Sequence, residues 1–412
     1  MFAGVRIVFV AQTINSGGYE IMKGFFAKGP LIATIIVALQ LAVTHVRAWE
    51  SPELKPLLFK PNPHSAWNYG GHLEAGLYAN QYGQKNAYDS NGNLLGASGN
   101  TTLLQNVQQS DLQLNQAWLF FEKKVNGRCG WDIGGRVDYV FGTDARYTQS
   151  SGLEYNTGHG QWGEGDYYSA LAQMYMEAGY KNVSIKFGKF MTPMGIDPLV
   201  STDRFFYSLS KNFGLLPVTH TGVLVTWDAS QKFSIFGGWT QGENMFFDTS
   251  KNNAFLGGFE YKFNPCTKWG FTLMAGENSR DNEEYYTHSL YLKHKFSKRW
   301  DYTAEWVYNN RDYSYADVTS NGLNSSLYYT VNCKWALGFR AEWLNYDYGL
   351  FDIDTYGLVF GANWKPCDWL LIRPEIRYDS VHGYPGSGPF NQYKGVGKSD
   401  QFAGGFSTVM RF

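Results

Sequence analysis

The sequence predicts an all-β fold, a transmembrane antiparallel up-and-down β-barrel of about 16 strands (roughly 14–18) with short turns at one end and long loops at the other. Three observations lead there. Apolar and polar residues alternate with a period of two through many segments, long and short connections alternate between those segments, and a Trp follows one short turn after another. A period of two gives a strand two different faces, which is what a wall between lipid and water needs.

Composition agrees with that reading. The chain has 412 residues, and its 35 Lys and Arg are balanced by 36 Asp and Glu. That balance supplies no bulk case for nucleic acid as a partner. Aromatics make up 17% and Gly numbers 46. A helical membrane protein needs apolar runs of about 20 residues, and none occurs after residue 48. A barrel needs only alternate residues to be apolar, so its mean hydropathy stays polar.

Residues 1–48 read as a targeting segment. Met22 to Lys28 is a short basic start, Pro30 to Val43 an apolar run, and Val46-Arg47-Ala48 ends on a small residue. That layout predicts a signal peptide cleaved after Ala48, with Met22 the better start. Residues 49–66, with Pro56, Pro61 and Pro63, read as a periplasmic linker too short for a folded plug, and the barrel is expected over 67–412.

The strands then follow in order. Tyr69, Leu73, Ala75 and Leu77 oppose His72, Glu74 and Asn80; Trp131, Ile133, Val137, Tyr139 and Phe141 oppose Asp132, Arg136 and Asp138. Trp300 to Tyr308 alternates against Asp301, Thr303, Glu305 and Asn309; Phe339, Ala341 and Trp343 oppose Arg340 and Glu342; and Ile372, Pro374, Ile376 and Tyr378 oppose Arg373, Glu375, Arg377 and Asp379. Short turns are expected near 126–130, 181–182, 228–232, 264–267, 297–299, 332–334 and 365–368. Longer pieces are expected near 82–112, 142–168, 190–219, 241–252, 278–286, 311–325, 347–353 and 379–401.

Trp131, Trp269, Trp300, Trp335 and Trp369 each stand just after a short turn. An indole is apolar with one N–H that prefers water, so these positions predict an aromatic girdle at one membrane boundary. All four Cys lie in the same turns, and Cys333 and Cys367, in consecutive turns, could bridge in an oxidising compartment. No close Cys or His pair supports a metal site, and no cofactor is implied. The closing stretch 402–412 places Phe402, Phe406, Met410 and Phe412 on one face. It is similar to the C-terminal signature of Gram-negative outer-membrane barrels, which implies outer-membrane lipid and the barrel assembly machinery as partners.

The middle of the chain carries a family resemblance. Tyr175 to Tyr180, Gly188-Lys189-Phe190, Gly195, Tyr207-Ser208, Pro217 to Val223 and Gly238-Trp239 occur in an order that resembles the OmpL-like β-barrel porin family, as do Arg340 to Glu342, Arg373 to Asp379 and the terminal Phe412. The family's usual Asn-Gly-Trp stands here as Gly237-Gly238-Trp239. The resemblance runs from about Tyr69 to the end and implies an outer-membrane pore, without a firm substrate. Homotrimers are common among general porins, although nothing in this sequence marks an interface.

Opposing each apolar set collects a candidate lumen face that includes Arg136, Asp138, Lys186, Glu305, Arg340, Glu342, Arg373, Glu375 and Arg377. Mixed signs predict weak ion selectivity and passage of small hydrophilic solutes, because the charges ringing a pore set its selectivity. The third long connection, 190–219, stands where general porins carry a loop that folds inward, and it holds Asp197, Asp203, Arg204 and Lys211. An inward constriction loop is therefore expected. The other readings are a surface binding or adhesion barrel and a more selective sugar or anion channel. No GxSxG elbow, HExxH helix or phosphate loop supports an enzyme.

Overall fold

The computed structural model describes residues 54–59, 65–82, 87–88, 94–96, 110–156, 160–247, 252–278, 283–313, 316–384 and 397–412. The expected signal peptide and its cleavage point lie outside the described residues.

Sixteen strands form one closed antiparallel barrel. They are β1 (Trp67–Asn80), β2 (Gln113–Lys123), β3 (Trp131–Gly142), β4 (Tyr167–Tyr180), β5 (Val183–Met191), β6 (Thr219–Trp227), β7 (Phe233–Thr240) and β8 (Asn253–Asn264). The second half is β9 (Thr267–Asn278), β10 (Glu283–Lys295), β11 (Trp300–Tyr313), β12 (Ala316–Thr330), β13 (Trp335–Asp347), β14 (Asp352–Cys367), β15 (Leu370–His382) and β16 (Asp400–Arg411). Each strand pairs with its neighbour in sequence. The ring closes where β16 meets β1, with His72 opposite Arg411 and Asn80 opposite Ala403. Phe412 finishes the seam: its N–H donates to Gly71 O at 2.9 Å and its carbonyl accepts from Gly71 N at 3.0 Å.

The alternation in sequence is the alternation in space. On β3, Trp131, Ile133, Val137, Tyr139 and Phe141 are exposed on the outside, while Asp138 is fully buried. On β15, Ile376 and Tyr378 face out, and Arg373, Glu375, Arg377 and Asp379 face in and are buried. On β16, Phe402 and Phe406 face out, and Ala403, Ser407 and Val409 are buried on the inside. In a pleated strand this is the only way one segment can satisfy lipid and water together.

At the short-turn rim, aromatic rings pair across neighbouring strands. Trp131 stacks on Tyr180 at 5.1 Å, Phe263 on Trp269 at 5.9 Å and Trp335 on Trp364 at 5.5 Å, with Trp300 tilted on Tyr329 at 4.6 Å. Such cross-strand pairs add stability and mark the apolar band's edge.

Two expectations need correction. The sixth long connection, 311–325, is strand almost throughout: β11 runs to Tyr313 and β12 begins at Ala316, paired from Trp300↔Tyr329 to Tyr313↔Ala316. The outer face of β12 carries polar Thr319, Asn321 and Ser325, so its alternation does not read as lipid-facing strand. Its backbone is nevertheless held by full ladders to both β11 and β13. The second correction concerns Cys333 and Cys367, which are free thiols. The register sets Trp335 opposite Trp364 and bonds Lys365 N to Lys334 O, so Cys333 falls level with residue 366, one off Cys367. Cys333 stands exposed in the turn ahead of β13, one step out of register with Cys367, so the two are not set directly across from each other.

Candidate functional site: the third loop against the charged wall

The connection from β5 to β6, residues 192–218, is tied at its base by Thr192 N donating to Val218 O at 2.9 Å. It carries an unusual share of the molecule's buried apolar side chains. Leu199, Phe205, Phe206, Tyr207, Leu209, Phe213 and Leu215 are all buried. Phe205, Phe206, Tyr207 and Leu215 are buried against inward residues of β1 and β11 to β16, whereas Leu199, Leu209 and Phe213 pack on Trp118 of β2, Val140 of β3, Ala145 of the second loop, and Ala170 and Ala172 of β4.

The wall meets the loop through charge. Arg204 donates from Nη2 to Glu74 Oε2 on β1 at 2.7 Å, and Arg373 on β15 bonds the other oxygen of the same carboxylate. Arg373 Nη1 also donates to the loop carbonyls of Ser201 at 3.0 Å and Arg204 at 3.1 Å. Glu375 accepts the backbone N–H of Tyr207 at 2.9 Å and the Ser208 hydroxyl at 2.5 Å. Arg340 donates to Ser208 O at 3.0 Å and to Leu209 O at 3.1 Å, with its guanidinium 4.6 Å above the Phe206 ring. Arg377 bridges Ser208 Oγ at 2.9 Å, Asp379 at 2.6 Å and Glu342 at 3.2 Å. Lys211 adds its Nζ to Asp379 at 2.8 Å and its backbone N–H to Glu342 at 2.9 Å. Buried charges are tolerable only when paired and hydrogen-bonded in this manner.

Five glycines make room for the loop. Phe205 sits over Gly338, Phe206 over Gly361, Tyr207 over Gly76, Asn212 over Gly322 and Lys211 over Gly357. At Gly357 a methyl group would come within 2.6 Å of Glu342 Oε2 and 3.0 Å of Lys211 Cε. No sequence signal separates these glycines from others in the chain, because each acquires its meaning from a residue more than 100 positions away.

The remaining site candidates are placed as follows. Glu305 on β11 is buried, accepting from Ser289 Oγ at 2.7 Å and facing Asn212 of the loop at 3.4 Å. Asp197 accepts from Ser210 N at 3.0 Å within the loop and lies 3.8 Å from Arg340. Asp203 accepts a hydrogen bond from its neighbour Thr202 Oγ1 at 3.0 Å. On the other side of the barrel, Arg136 is paired to Asp138 at 2.6 Å and to Glu122 at 3.4 Å with 24% of its side chain exposed. Lys186 lies 4.3 Å over the Tyr175 ring and is half-buried. The nine lumen candidates therefore split into two groups: Arg340, Glu342, Arg373, Glu375, Arg377 and Glu305 touch or abut the loop, while Arg136, Asp138 and Lys186 do not.

Residues outside that candidate set complete the arrangement. Gln116 on β2 donates to Leu199 O at 2.8 Å and to Asp144 Oδ2 at 2.7 Å, and accepts from Ser201 N at 3.1 Å. Asp144, in the turn Thr143–Tyr147 of the second loop, is fully buried 3.7 Å from Arg204, and burial pushes its carboxyl up to about 6. Lys189 on β5 is buried and donates to Thr148 O and Glu154 Oε1 of the second loop, both at 2.8 Å. The preceding Gly188 has φ +126, where side chains are strained, and its Cβ position is filled by Met174 O. The Gly188-Lys189-Phe190 stretch thus pins the second loop beside the root of the third.

A family model described as "Putative beta-barrel porin-2, OmpL-like" matches residues 68–412. The chain belongs to this family. It is an outer-membrane β-barrel of the porin type. No curated protein matches the sequence. Among solved structures the barrel is similar to OmpT, an outer-membrane protein of Vibrio cholerae in its trimer form, at TM-score 0.56 and 11% identity over 84% of this chain and 99% of that one. It is also similar to an anion-selective porin from Comamonas acidovorans (TM-score 0.53, 10% identity, 84% and 99% covered) and to Pseudomonas putida OprB (TM-score 0.52, 13% identity, 84% and 94% covered). At these identities the likeness is one of fold.

Proposed function

We propose that this porin forms a water-filled channel for passive diffusion of small hydrophilic solutes across the outer membrane, that it catalyses no reaction, and that its third loop folds inward as the constriction. The observation that carries the reading is the loop–wall contact set: 192–218 is fastened to inward side chains of β1, β2 and β11–β16 and packs on β3 and β4, so it lies within the barrel. Solutes then pass along the inward charges of the wall that keep contact with water. These are Glu122 and Arg136, with side chains 11% and 24% exposed, Glu260 and Lys268, 29% and 31% exposed, and the half-buried Glu177, Lys186 and Lys293. Positive and negative groups alternate there, which supports weak ion selectivity.

In this reading Arg340, Glu342, Arg373, Glu375 and Arg377 hold the loop rather than meet the solute. Every one of them is bonded to the loop or to a partner that is. A homotrimer is the expected assembly, in line with the trimer form of the Vibrio cholerae protein. Liposome swelling with sugars of graded size tests the channel. Swelling that slows steadily with sugar size is expected; vesicles that fail to swell with the smallest sugar overturn the channel reading and favour a closed binding barrel.

A further inference from the structure

The segment ahead of β1 does not hang free where it is described. Leu54 is 2% exposed and packs against Leu371 of β15 and Val409 of β16, both inward-facing and buried. Its carbonyl accepts from Arg411 Nη1 at 2.6 Å. One residue on, Lys55 N donates to Asp368 O at 2.8 Å, in the turn between β14 and β15. Leu57 N then donates to Arg411 O at 3.1 Å. Phe59 ends the run edge-on to Phe412 at 6.1 Å and to Tyr69 of β1 at 5.5 Å. Six residues therefore touch the β14–β15 turn, β15, β16 and β1 in succession, passing from the inner wall to the rim.

We propose that Leu54–Phe59 is a strap that clamps the seam of the barrel. The seam is the one strand pair with no hairpin joining it, since β16 and β1 are the two ends of the ring. Every other antiparallel pair of the ring is joined directly by one connection, whereas this pair has only its ladder. The last residues of β16 are where that ladder can fray. The strap engages there three times, at Val409, at the Arg411 side chain and at the Arg411 carbonyl, and it gives the open end of the seam the covalent continuity that a hairpin gives elsewhere. The proposal concerns the barrel's closure and stands whether or not the lumen conducts.

The test is hydrogen exchange on the refolded full-length protein in vesicles, read at the Arg411 and Phe412 amides, which bond to Trp369 O and Gly71 O across the rim. Leu54→Asp puts a charge against Leu371 and Val409, and Leu54→Ala removes the same packing without a charge, so the second variant decides if the first does not fold. Several-fold faster exchange at these two amides, with β6–β10 amides unchanged and single-channel conductance equal to the parent, is the expected result. Lys55→Ala, which removes only an ion pair with 76% and 65% exposed partners, is expected to leave exchange as it was. Parental exchange at Arg411 and Phe412 in Leu54→Ala overturns the strap.

Discussion

Arg204 of the third loop donates to Glu74 of β1 at 2.7 Å, across 130 residues of sequence, with the two side chains 2% and 0% exposed. Glu74 is also the partner of Arg373, so one carboxylate neutralises a loop arginine and a wall arginine together. Arg204→Ala leaves Glu74 with a single buried counter-charge. Breaking a buried pair from one side costs about 3 kcal/mol or more, and a loss of that order is expected in the urea titration of protein refolded into vesicles. Arg204→Lys is expected to recover only part of it, because the guanidinium also donates to Leu199 O and an ammonium is a single point of charge.

The wall glycines make a second prediction. Gly357→Ala places a methyl group 2.6 Å from Glu342 Oε2 and 3.3 Å from Asp379 Oδ1, where Lys211 and Arg377 converge. The loop is expected to loosen at Lys211, seen as a larger and noisier open-channel current than the parent gives. Gly214→Ala, inside the loop but with nothing within 4 Å of its Cβ position, is the matched control and is expected to change neither current nor stability.

A third prediction concerns pH. Burial raises the Asp144 carboxyl from an ordinary 3.8 to about 6. Below pH about 4 both folded and unfolded states hold the proton. Between there and about 6 the unfolded state loses its proton first, so this group lowers stability as pH rises, and the loss is complete above that window. Asp144→Asn removes the ionisation, and its denaturation midpoint is expected to gain on the parent's as pH rises from 4 to 7. A parallel pH profile for the two proteins contradicts the assignment.

A fourth prediction separates the two sets of lumen charges. Lys186→Glu and Lys293→Glu reverse half-buried inward charges that the third loop does not bond, and each is expected to move the reversal potential in a salt gradient toward cation preference. Arg340→Lys keeps the charge of a residue facing loop carbonyls, and is expected to alter stability with little change in reversal potential.

How much of this could be read in the sequence follows from distance along the chain. Arg373, Glu375, Arg377 and Asp379 declare their face locally, because a strand's period of two is written in consecutive residues. The same holds for Phe402 and Phe406 and for the Trp that follows each turn. β12 was misread because Thr319, Asn321 and Ser325 are polar on its outer face, so its pairing rests on ladders to β11 and β13 that no local pattern encodes. The position of the third loop was legible from its rank among the connections. Its anchoring was not: Glu74 meets Arg204 at a separation of 130, Arg340 meets Ser208 at 132 and Glu375 meets Tyr207 at 168. The glycines beneath Phe205, Phe206 and Lys211 are silent for the same reason. Arg340, Arg373 and Arg377 stand on the face that the period of two assigns inward, while their bonds to the third loop emerge only once the barrel closes.

The measurement that bears most directly on the central claim is single-channel conductance of the refolded protein in a planar bilayer, with and without residues 197–213. Discrete conductance steps are expected for the parent, and larger steps for the deletion, since that segment carries Arg204, the Ser208 contacts and Lys211. Absence of steps in the parent, or steps of unchanged size in a deletion that still folds, contradicts a channel narrowed by its third loop.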